Sequence, residues 1–350
     1  YNADGSPKTA GTVLTNPALA VTFKQIADGG ANAFYKGKIA HDIVAKVQTH
    51  PSNPGLLTKQ DIANYRAKVR NPVCSDYRQW TICGAPPPSS GGIAIAQMLG
   101  ILEAQPKDKQ INKMLPIKNS MGWLEPTPLA AHLFSEAGRL AYADRAQYVA
   151  DPAFAKYPGG SWKSLIDKNY LAQRAQLITD KSMGKAQAGT PAGMQLSWAK
   201  DKTPELPSTS HISAVDKFGQ AASITTSIED QFGSRQMVDG FLLNNQLTDF
   251  SFPADENGQL IANRVEAGKR PRSSMSPVLV FDKASKKLVM TAGAPGGASI
   301  INYVAKTLVG TLDWGLNVQQ AIALPNVGSR NGPTELELGR TSPALAAGLV

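Results

Sequence analysis

The sequence predicts an α+β protein, because helical and extended patterns dominate different parts of the chain. Over residues 17–50 the apolar side chains recur at the three- to four-residue spacing of a helix, as in Leu19, Phe23 and Ile26. From His211 onward the apolar spacing changes to two, which is typical of a half-buried strand. Helices and strands are therefore largely segregated along the chain, as in an α+β fold.

The first part of the chain is mainly helical. Helices are predicted over residues 17–50, 58–68, 93–103 and 128–149. Alternation around Tyr77, Trp80 and Ile82 predicts a short strand, and Pro86-Pro-Pro-Ser-Ser-Gly-Gly92 predicts an extended loop that turns sharply into the next helix. Residues 181–208 are polar, have no apolar period and are interrupted repeatedly by Gly and Pro, so we expect a flexible linker there.

The second part of the chain is predicted to be a sheet followed by helices. Two hairpins are predicted, one pairing residues 211–216 with 220–228 and one pairing 278–281 with 287–291. Gly293-Ala-Pro-Gly-Gly297 then turns into a helix over 300–312. A last helix opens at Ser342-Pro343 without a C-cap, and the first residue is not Met, so we expect the chain to be a piece of a longer one.

The amino-acid composition and charge limit the classes of function that the chain could have. The chain has 350 residues, 42% of them apolar and 18% charged, which is a globular composition. No stretch approaches the roughly 18 consecutive apolar residues of a bilayer span, so no membrane span is predicted. The net charge is +9, and the excess lies in residues 1–208 as single Lys and Arg side chains between apolar residues. This scatter favours a solvated surface over a nucleic-acid interface.

The two cysteines, Cys74 and Cys83, are nine residues apart and admit two interpretations. In an oxidising compartment they could close a small loop, a contribution of roughly 2–3 kcal/mol in the chain-entropy model. Two buried thiols are the alternative. The sequence has no His-Glu-x-x-His or His-x-x-x-His element and no second cysteine pair, so no metal and no cofactor is predicted.

A hydroxyl cluster, Ser208-Thr209-Ser210, is the strongest candidate for chemistry, because it lies where the predicted linker enters the first strand. There is no Gly-x-Ser-x-Gly and only four histidines, so a Ser-His-Asp triad has few possible bases. A threonine can instead be activated by its own α-amine once a cut exposes it. The plainer interpretation is a strand that happens to begin with hydroxyl residues.

Two other motifs resemble known functional elements. Ser182-Met-Gly-Lys185 matches the Ser-x-x-Lys of penicillin-recognising enzymes, but its companion motifs are missing, so we interpret it as a chance match. Gly293 to Gly297 lacks the Lys and the spacing of a phosphate loop. Its backbone N–H groups at a helix N-terminus would nevertheless suit an oxyanion.

Five motifs in register resemble the gamma-glutamyltransferase (gamma-glutamyltranspeptidase) family of N-terminal-nucleophile hydrolases. They are Thr209-Ser-His-Ile-Ser-Ala-Val-Asp216, Phe232-Gly-Ser234, Leu243-Asn-Asn-Gln-Leu-Thr-Asp-Phe250, Arg270-Pro-Arg-Ser-Ser-Met-Ser-Pro277 and Pro295-Gly-Gly297. In the first half, Phe34-Tyr-Lys-Gly, Asp76-Tyr-Arg, the segment 86–92 and Tyr142-Ala-Asp-Arg145 are similar to the family's large subunit. The resemblance therefore covers nearly the whole chain.

The resemblance implies a four-layer αββα sandwich made as an inactive precursor that cuts itself between Ser208 and Thr209. Residues 1–208 would belong to the large subunit and residues 209–350 to the small, catalytic subunit, the two remaining associated as one intertwined structural domain. Thr209 would then attack the amide of a γ-glutamyl donor such as glutathione. The resulting γ-glutamyl ester would pass to water or to an amino-acid or peptide acceptor, which is ping-pong acyl transfer.

The resemblance also assigns roles to other residues. Gly296 and Gly297 match the glycines of the oxyanion hole, Ser210 matches a hydroxyl residue that supports the nucleophile, and Ser227 matches one near its amine. Gln246, Asp249 and Glu229 match positions that hold the α-amino group of the donor, and Ser273 and Ser274 match those at its α-carboxylate. Two carboxylates suit an ammonium, and hydroxyl donors suit a carboxylate.

The sequence departs from the family pattern at a few points. Position 229 is Glu where many members have Asn, and position 210 is Ser where many have Thr. No Tyr lies between Asp249 and Arg270, so the aromatic lid of some members has no counterpart and we expect an open acceptor side. The family's carboxylate-binding arginine falls upstream of Tyr1, which predicts weak donor binding by the chain as it stands.

Two alternatives remain open beside the γ-glutamyl enzyme. One is an acylase of the same fold that acts on glutaryl side chains of β-lactams, since a glutaryl group is a glutamyl group without its α-amine. The other is a non-catalytic fragment that never cuts itself. The resemblance, together with one possible disulfide, predicts a periplasmic or secreted location.

Overall fold

The structure is a computed structural model that describes residues 1–194, 198–203, 206 and 208–349. The α-helices are α1 Pro17–Tyr35, α2 Lys38–Gln48, α3 Lys59–Asn64, α4 Gly91–Glu103, α5 Pro128–Tyr148, α6 Lys168–Ala175, α7 Ile300–Leu312, α8 Val318–Ala323 and α9 Pro343–Ala347. Short 3₁₀ turns lie at Ile111–Lys113, Pro158–Gly160, Trp162–Ile166, Gln246–Asp249 and Gly297–Ser299. Among the described residues, no helix is both long enough and apolar enough to cross a bilayer.

The strands are all short and pair antiparallel. They are β1 Val73–Tyr77, β2 Trp80–Gly84, β3 Ile117–Lys118, β4 Leu124–Glu125, β5 Ser210–Val215, β6 Ala221–Thr226, β7 Met237–Val238, β8 Phe241–Leu242, β9 Asp255–Glu256, β10 Gln259–Leu260, β11 Val278–Asp282, β12 Leu288–Ala292, β13 Val327–Gly328 and β14 Glu335–Leu336. One sheet has four strands in the order β1-β2-β11-β12, and the remaining strands form two-stranded hairpins. Helices and antiparallel sheets together give the α+β class that the sequence predicts.

The chain divides into two compact units, whereas the sequence predicts one domain. Unit 1 consists of residues 1–69 and 232–245, and unit 2 consists of residues 70–231 and 246–349. Each unit therefore combines residues from both sides of Ser208. The boundary predicted at Ser208 is a position on the chain and does not separate the two units.

Unit 1 is built from α1 to α3 and the β7-β8 hairpin. Its small core contains Ile39 and Ile43 of α2 and Val238 of β7. The hairpin is fixed to α1 by side-chain hydrogen bonds, since Asn16 Nδ2 donates to the Gly240 carbonyl at 2.7 Å and Thr22 Oγ1 to the Asp239 carbonyl at 2.8 Å.

Unit 2 has a layer of helices on one face of the four-stranded sheet. Val278 and Val280 of β11 and Ile82 of β2 point into a core shared with α4, α5 and α7. On β12, Thr291 alternates with the core-facing Met290 and lies 3.3 Å from Ser213 of β5 through the two hydroxyl oxygens. The β5-β6 hairpin therefore packs on the sheet face opposite the helices, where it begins a second β layer.

The Cys segment forms a hairpin, where the sequence predicts a single strand. Cys74 and Cys83 lie opposite each other in β1 and β2 and are joined by a disulfide. The turn between the strands has Arg78 at φ +52°, a conformation usually taken by Gly or Asn, so the sequence carries no turn signal there. Arg78 is instead held by an ion pair with Asp313 and by its own N–H, which donates to Glu103 Oε1 at 2.7 Å.

The segment 181–208, predicted as a flexible linker, is docked on unit 2 over its described residues. Ala186 exchanges two hydrogen bonds with the side chain of Asn331, at 2.7 and 3.0 Å. The Gly189 N–H donates to the buried Asp144 carboxylate at 2.8 Å. A chain without an apolar period can be held in place by polar contacts, and periodicity does not detect them.

Candidate active site

Thr209 lies immediately before β5, at the point where the docked segment enters the hairpin. Its φ is +128°, which is a rare conformation for any residue with a Cβ and rarer for a β-branched one. Such a backbone conformation costs of order 1–3 kcal/mol and persists only where the surroundings impose it. The strain is located at the N–Cα bond of Thr209, next to the peptide bond that joins Ser208 to Thr209.

The carbonyl oxygen of Ser208 is held by two consecutive backbone amides. The N–H groups of Gly296 and Gly297 donate to it at 3.4 and 3.3 Å. Both glycines have positive φ, +133° and +55°, which turns their amides toward the same point. The pair stands just before α7, so two amides and a helix N-terminus face the Ser208 carbonyl and would stabilise negative charge on its oxygen.

Ser227 connects the nucleophile position to the next polar group. Thr209 Oγ1 lies 3.4 Å from Ser227 Oγ, at the long end of a hydroxyl contact. Ser227 Oγ also accepts the Glu229 N–H at 2.8 Å. Glu229 is buried and has φ +74°, so the backbone after Ser227 is bent back toward Thr209.

One pocket collects most of the predicted site residues, and we name it the Thr209 pocket. It has an empty volume of about 290 Å³. It is lined by Leu206, Thr209, Ser227, Glu229, Gln246, Asp249, Ser273, Ser274, Met275, Gly297 and Ile300. The polar residues come from four separate stretches of the chain, which the fold of unit 2 brings to one place.

The acidic side of the Thr209 pocket contains Glu229, Gln246 and Asp249. Gln246 Nε2 donates to Asp249 Oδ2 at 3.1 Å, which orients the carboxylate within a 3₁₀ turn. The backbone carbonyl of Asp249 accepts from Asn263 Nδ2 at 2.8 Å. Two carboxylates and an amide oxygen in one small pocket are suited to an ammonium group.

Ser273 and Ser274 also line the pocket, and Ser274 is bound by a cation outside the lining, Arg145, that the sequence analysis did not assign. Arg145 is 5% exposed and donates from Nη2 to Ser274 Oγ at 2.6 Å and from Nε to Ser90 Oγ at 2.7 Å. Arg145 is the last residue of the Tyr142-Ala-Asp-Arg145 motif. This motif is the feature of the sequence that could have identified Arg145 as a site residue.

Two of the predicted catalytic and substrate-binding residues, Ser210 and Gly296, lie outside the pocket lining. Ser210 is exposed and pairs with Thr226 as the first residue of β5. Gly296 does not line the pocket but supplies one of the two amides at Ser208. The disulfide of Cys74 and Cys83 belongs to the β1-β2 hairpin.

His211 lies close to Thr209 in sequence, but both of its ring nitrogens contact hydroxyl groups of the β5-β6 hairpin. Its Nδ1 lies 2.9 Å from Thr225 Oγ1 and its Nε2 lies 3.0 Å from Ser213 Oγ. Burial lowers the pKa of the His211 imidazole below its usual range. The ring packs so closely on the glycine-rich turn that a Cβ at Gly293 would lie 2.2 Å from it. The imidazole is thus a packing and hydrogen-bonding group between the β5-β6 hairpin and the glycine-rich turn.

Metal chemistry has no obvious donor set in the described part of the chain. No group of three or more His, Cys, Asp or Glu side chains is arranged there to hold an ion.

Comparison with known proteins identifies relatives along the whole chain. A family model described as gamma-glutamyltranspeptidase matches residues 1–348. The glutathione hydrolase proenzyme of Bacillus subtilis subsp. natto is 37% identical over 333 residues, which are 93% of this chain and 52% of the relative. The acylase ACY 1 proenzyme of Pseudomonas sp. (strain SE83) is 32% identical over 335 residues, 95% of this chain and 53% of the relative.

Solved structures show the same fold. The crystal structure of cephalosporin acylase from Bacillus halodurans superposes with a TM-score of 0.78 at 24% identity, covering 99% of this chain and 56% of that one. The α+β sandwich of the N-terminal-nucleophile hydrolases predicted from the sequence is thereby confirmed. The chain spans about half the length of the curated relatives it matches.

Proposed function

Because the chain belongs to the gamma-glutamyltranspeptidase family, we propose that it is part of a γ-glutamyl hydrolase/transferase whose precursor cuts itself between Ser208 and Thr209. The observation that carries the proposal is the Ser208 carbonyl, which is hydrogen bonded to the amides of Gly296 and Gly297 beside the strained Thr209. A scissile carbonyl, an oxyanion hole and a hydroxyl nucleophile are the groups that an acyl shift requires.

The first reaction is self-cleavage. Thr209 Oγ attacks the carbonyl carbon of Ser208, and the negative charge that forms on the carbonyl oxygen is stabilised by the two glycine amides. The C–N bond then breaks, the Thr209 nitrogen takes up a proton, and Ser208 is left as an ester on Thr209 Oγ. Water hydrolyses this ester, which gives a Ser208 carboxylate and a free Thr209 α-amine. Two subunits of one precursor, residues up to 208 and residues from 209, result.

The second reaction is acyl transfer. The free α-amine, with an ordinary pKa of about 7.7–8, is partly neutral near physiological pH and takes the proton from Thr209 Oγ. The oxygen attacks the γ-carbonyl of the donor, the amine leaves with a proton, and a γ-glutamyl ester remains on Thr209. Water or the amine of an amino acid or peptide then attacks the ester. The same two glycine amides serve both reactions.

Donor recognition follows from the two sides of the Thr209 pocket. Glu229 and Asp249, with Gln246, would bind the α-ammonium of the glutamyl group. Ser273 and Ser274 would donate to its α-carboxylate, with the Arg145 guanidinium behind Ser274 adding positive potential. Ser227, whose Oγ is 3.4 Å from Thr209 Oγ1, would hydrogen-bond the α-amine of Thr209. Ser210 retains a supporting role as a prediction from the family resemblance.

Mass spectrometry of the full-length natural protein under denaturing conditions tests self-cleavage. We expect two fragments, the second beginning Thr209-Ser-His-Ile, and a Thr209→Ala variant that stays in one piece. Thr311→Ala is the matched control, because its hydroxyl donates only within α7, to the Thr307 and Leu308 carbonyls. A wild-type protein that stays intact near neutral pH would contradict the proposal and would favour the non-catalytic alternative.

A glutaryl acylase is the second candidate, and the acylase relative supports keeping it. The discriminating feature is the pair of carboxylates, since a glutaryl group has no ammonium that could contact them. We expect faster hydrolysis of γ-glutamyl-p-nitroanilide than of glutaryl-p-nitroanilide. The reverse preference would identify the acylase.

We also propose a periplasmic or secreted location. The support is the Cys74–Cys83 disulfide, since disulfides persist in oxidising compartments. The substrates proposed here, glutathione and related γ-glutamyl amides, are small molecules, and no nucleic acid enters the function.

A further inference from the structure

Three buried polar residues, Asp201, Asn263 and Arg272, form a cluster directly behind the Thr209 pocket. Asn263 Nδ2 donates to Asp201 Oδ2 at 3.0 Å, and Arg272 Nη2 donates to the same oxygen at 2.9 Å. The Arg272 N–H donates to Asn263 Oδ1 at 2.9 Å. All three residues are less than 7% exposed, so their contacts are shielded from water.

This cluster contacts both sides of the pocket through the backbone. Asn263 Nδ2 also donates to the Asp249 carbonyl at 2.8 Å, on the acidic side. Arg272 precedes Ser273 in the chain, so fixing its N–H fixes the backbone that enters the serine side. One asparagine side chain therefore spans the distance between the position proposed for the ammonium and the position proposed for the carboxylate.

Asp201 provides the charge that holds the cluster together. Burial opposes its ionisation, but the Arg272 cation and the hydrogen bonds from Asn263 and Thr203 outweigh it, and the pKa of Asp201 lies below its usual range. The Asp201 N–H also donates to the Ala146 carbonyl at 3.0 Å, next to Arg145. Asp201 lies upstream of Ser208, whereas Asn263 and Arg272 lie downstream of it.

We propose that Asp201 and Asn263 are positioning residues that set the spacing between Asp249 and the Ser273-Ser274 pair, and so the preference for a donor with both an ammonium and a carboxylate. The inference rests on the proposed function. It adds that each mature donor pocket is held by a buried carboxylate from the subunit that does not carry the nucleophile. Neither residue touches the reacting atoms.

The test compares Asp201→Asn with the natural full-length protein, using γ-glutamyl- and glutaryl-p-nitroanilide. The variant keeps the shape of Asp201 and removes its charge. Loss of one buried charge-assisted contact should raise KM for the γ-glutamyl substrate about tenfold while kcat stays within about twofold. Self-cleavage should be unchanged, and the preference for the γ-glutamyl over the glutaryl substrate should fall.

Asp313→Asn is the matched control, because the Asp313 side chain is also buried and paired with an arginine, Arg78, but it has no bond to Asn263 or Arg272. It should lower the unfolding temperature without changing KM. Asn263→Ser provides a second variant in case Asp201→Asn does not fold, since it leaves the Asp201–Arg272 ion pair intact. It should raise KM in the same way.

The outcomes separate the two proposals. A wild-type protein that cuts itself but does not hydrolyse the γ-glutamyl substrate overturns the proposed function and this inference with it. An active wild type whose Asp201→Asn and Asn263→Ser variants lose only stability or kcat, as a merely structural role predicts, overturns the inference alone. A KM increase in both variants and none in Asp313→Asn supports it.

Discussion

At the scale of single residues, the conformation of Thr209 explains why the cut would proceed in one direction. The φ of +128° is defined only while the Ser208 carbonyl carbon is bonded to the Thr209 nitrogen. Once that bond is broken the backbone constraint no longer exists, and the associated strain of order 1–3 kcal/mol is released. Self-cleavage is thereby favoured over re-formation of the peptide bond.

Gly296 offers a direct test of the amide pair. A Cβ at this position would lie 2.6 Å from Tyr303 Cε2, and φ is +133°, so Gly296→Ala should displace the amide from the Ser208 carbonyl. We expect self-cleavage to slow by about 10²–10³, the usual effect of losing one oxyanion donor. The measurement is the fraction of uncut chain against time by denaturing electrophoresis.

Gly315→Ala is the control for backbone strain at a glycine with positive φ. Gly315 has φ +64° and no atom within 4 Å of a Cβ, so the substitution brings strain without a clash or a displaced amide. It should leave the cleavage rate unchanged. Equal slowing in both variants would indicate that the amides have no specific role.

The site residues that the sequence predicted stand in local motifs, whereas the one that it missed is defined by a contact between residues far apart in the sequence. Thr209, Asp249 and Ser274 stand in motifs that can be recognised from the local sequence. Arg145 reaches Ser274 across 129 positions, and no local pattern encodes such a contact.

At the scale of elements, predictions were accurate where one period governs a segment. Helix α7 has the predicted bounds, 300–312, because its apolar positions and its preceding glycine turn agree. The β1-β2 hairpin was missed because Arg78, held by Asp313 and Glu103, makes the turn without Gly or Asn. The strand order β1-β2-β11-β12 joins segments about 200 residues apart, which no period can predict.

Lys306 connects two helices and gives a testable pH dependence. Its Nζ donates to the carbonyls of Ile322 and Leu324 at the C-terminal end of α8, where a cation is favoured. Burial lowers the pKa of Lys306 to about 8, against an ordinary value of 10.5. Between these values the unfolded chain binds more protons than the folded one, so this residue makes stability rise with pH.

The Lys306→Met variant isolates this contribution. The free energy of unfolding of the wild type relative to the variant should increase by about 1–2 kcal/mol between pH 7.5 and pH 9.5, since one pKa unit corresponds to about 1.4 kcal/mol. Urea titrations of both proteins at the two pH values measure it. If the difference in unfolding free energy between the two proteins were the same at both pH values, or fell, the lowered pKa of Lys306 would be contradicted.

At the scale of the whole molecule, each of the two units contains residues from both sides of the proposed cleavage site. In unit 2, β2 pairs with β11 over five residue pairs, from Val278 opposite Gly84 to Asp282 opposite Trp80. In unit 1, the side chains of Asn16 and Thr22 bind the backbone of the β7-β8 hairpin. Each unit would therefore lose part of its own core or sheet if the fragments separated.

We accordingly expect the two fragments to remain together after self-cleavage. They should elute as one species in native size-exclusion chromatography and separate only in denaturant, because separation would expose the apolar core between α4, α5 and α7. The experiment uses fully cut protein at micromolar and nanomolar concentrations. Elution as two species under native conditions would contradict the intertwined arrangement.

The Ser208 carbonyl, which is held by Gly296 and Gly297, also implies that the proposed self-cleavage precedes donor turnover. While the chain is continuous, the oxyanion hole is filled by a group that is covalently tethered to it, at an effective concentration far above that of any diffusing substrate. In the proposed mechanism, the uncut chain would therefore block its own oxyanion hole, and self-cleavage would open that hole to donors.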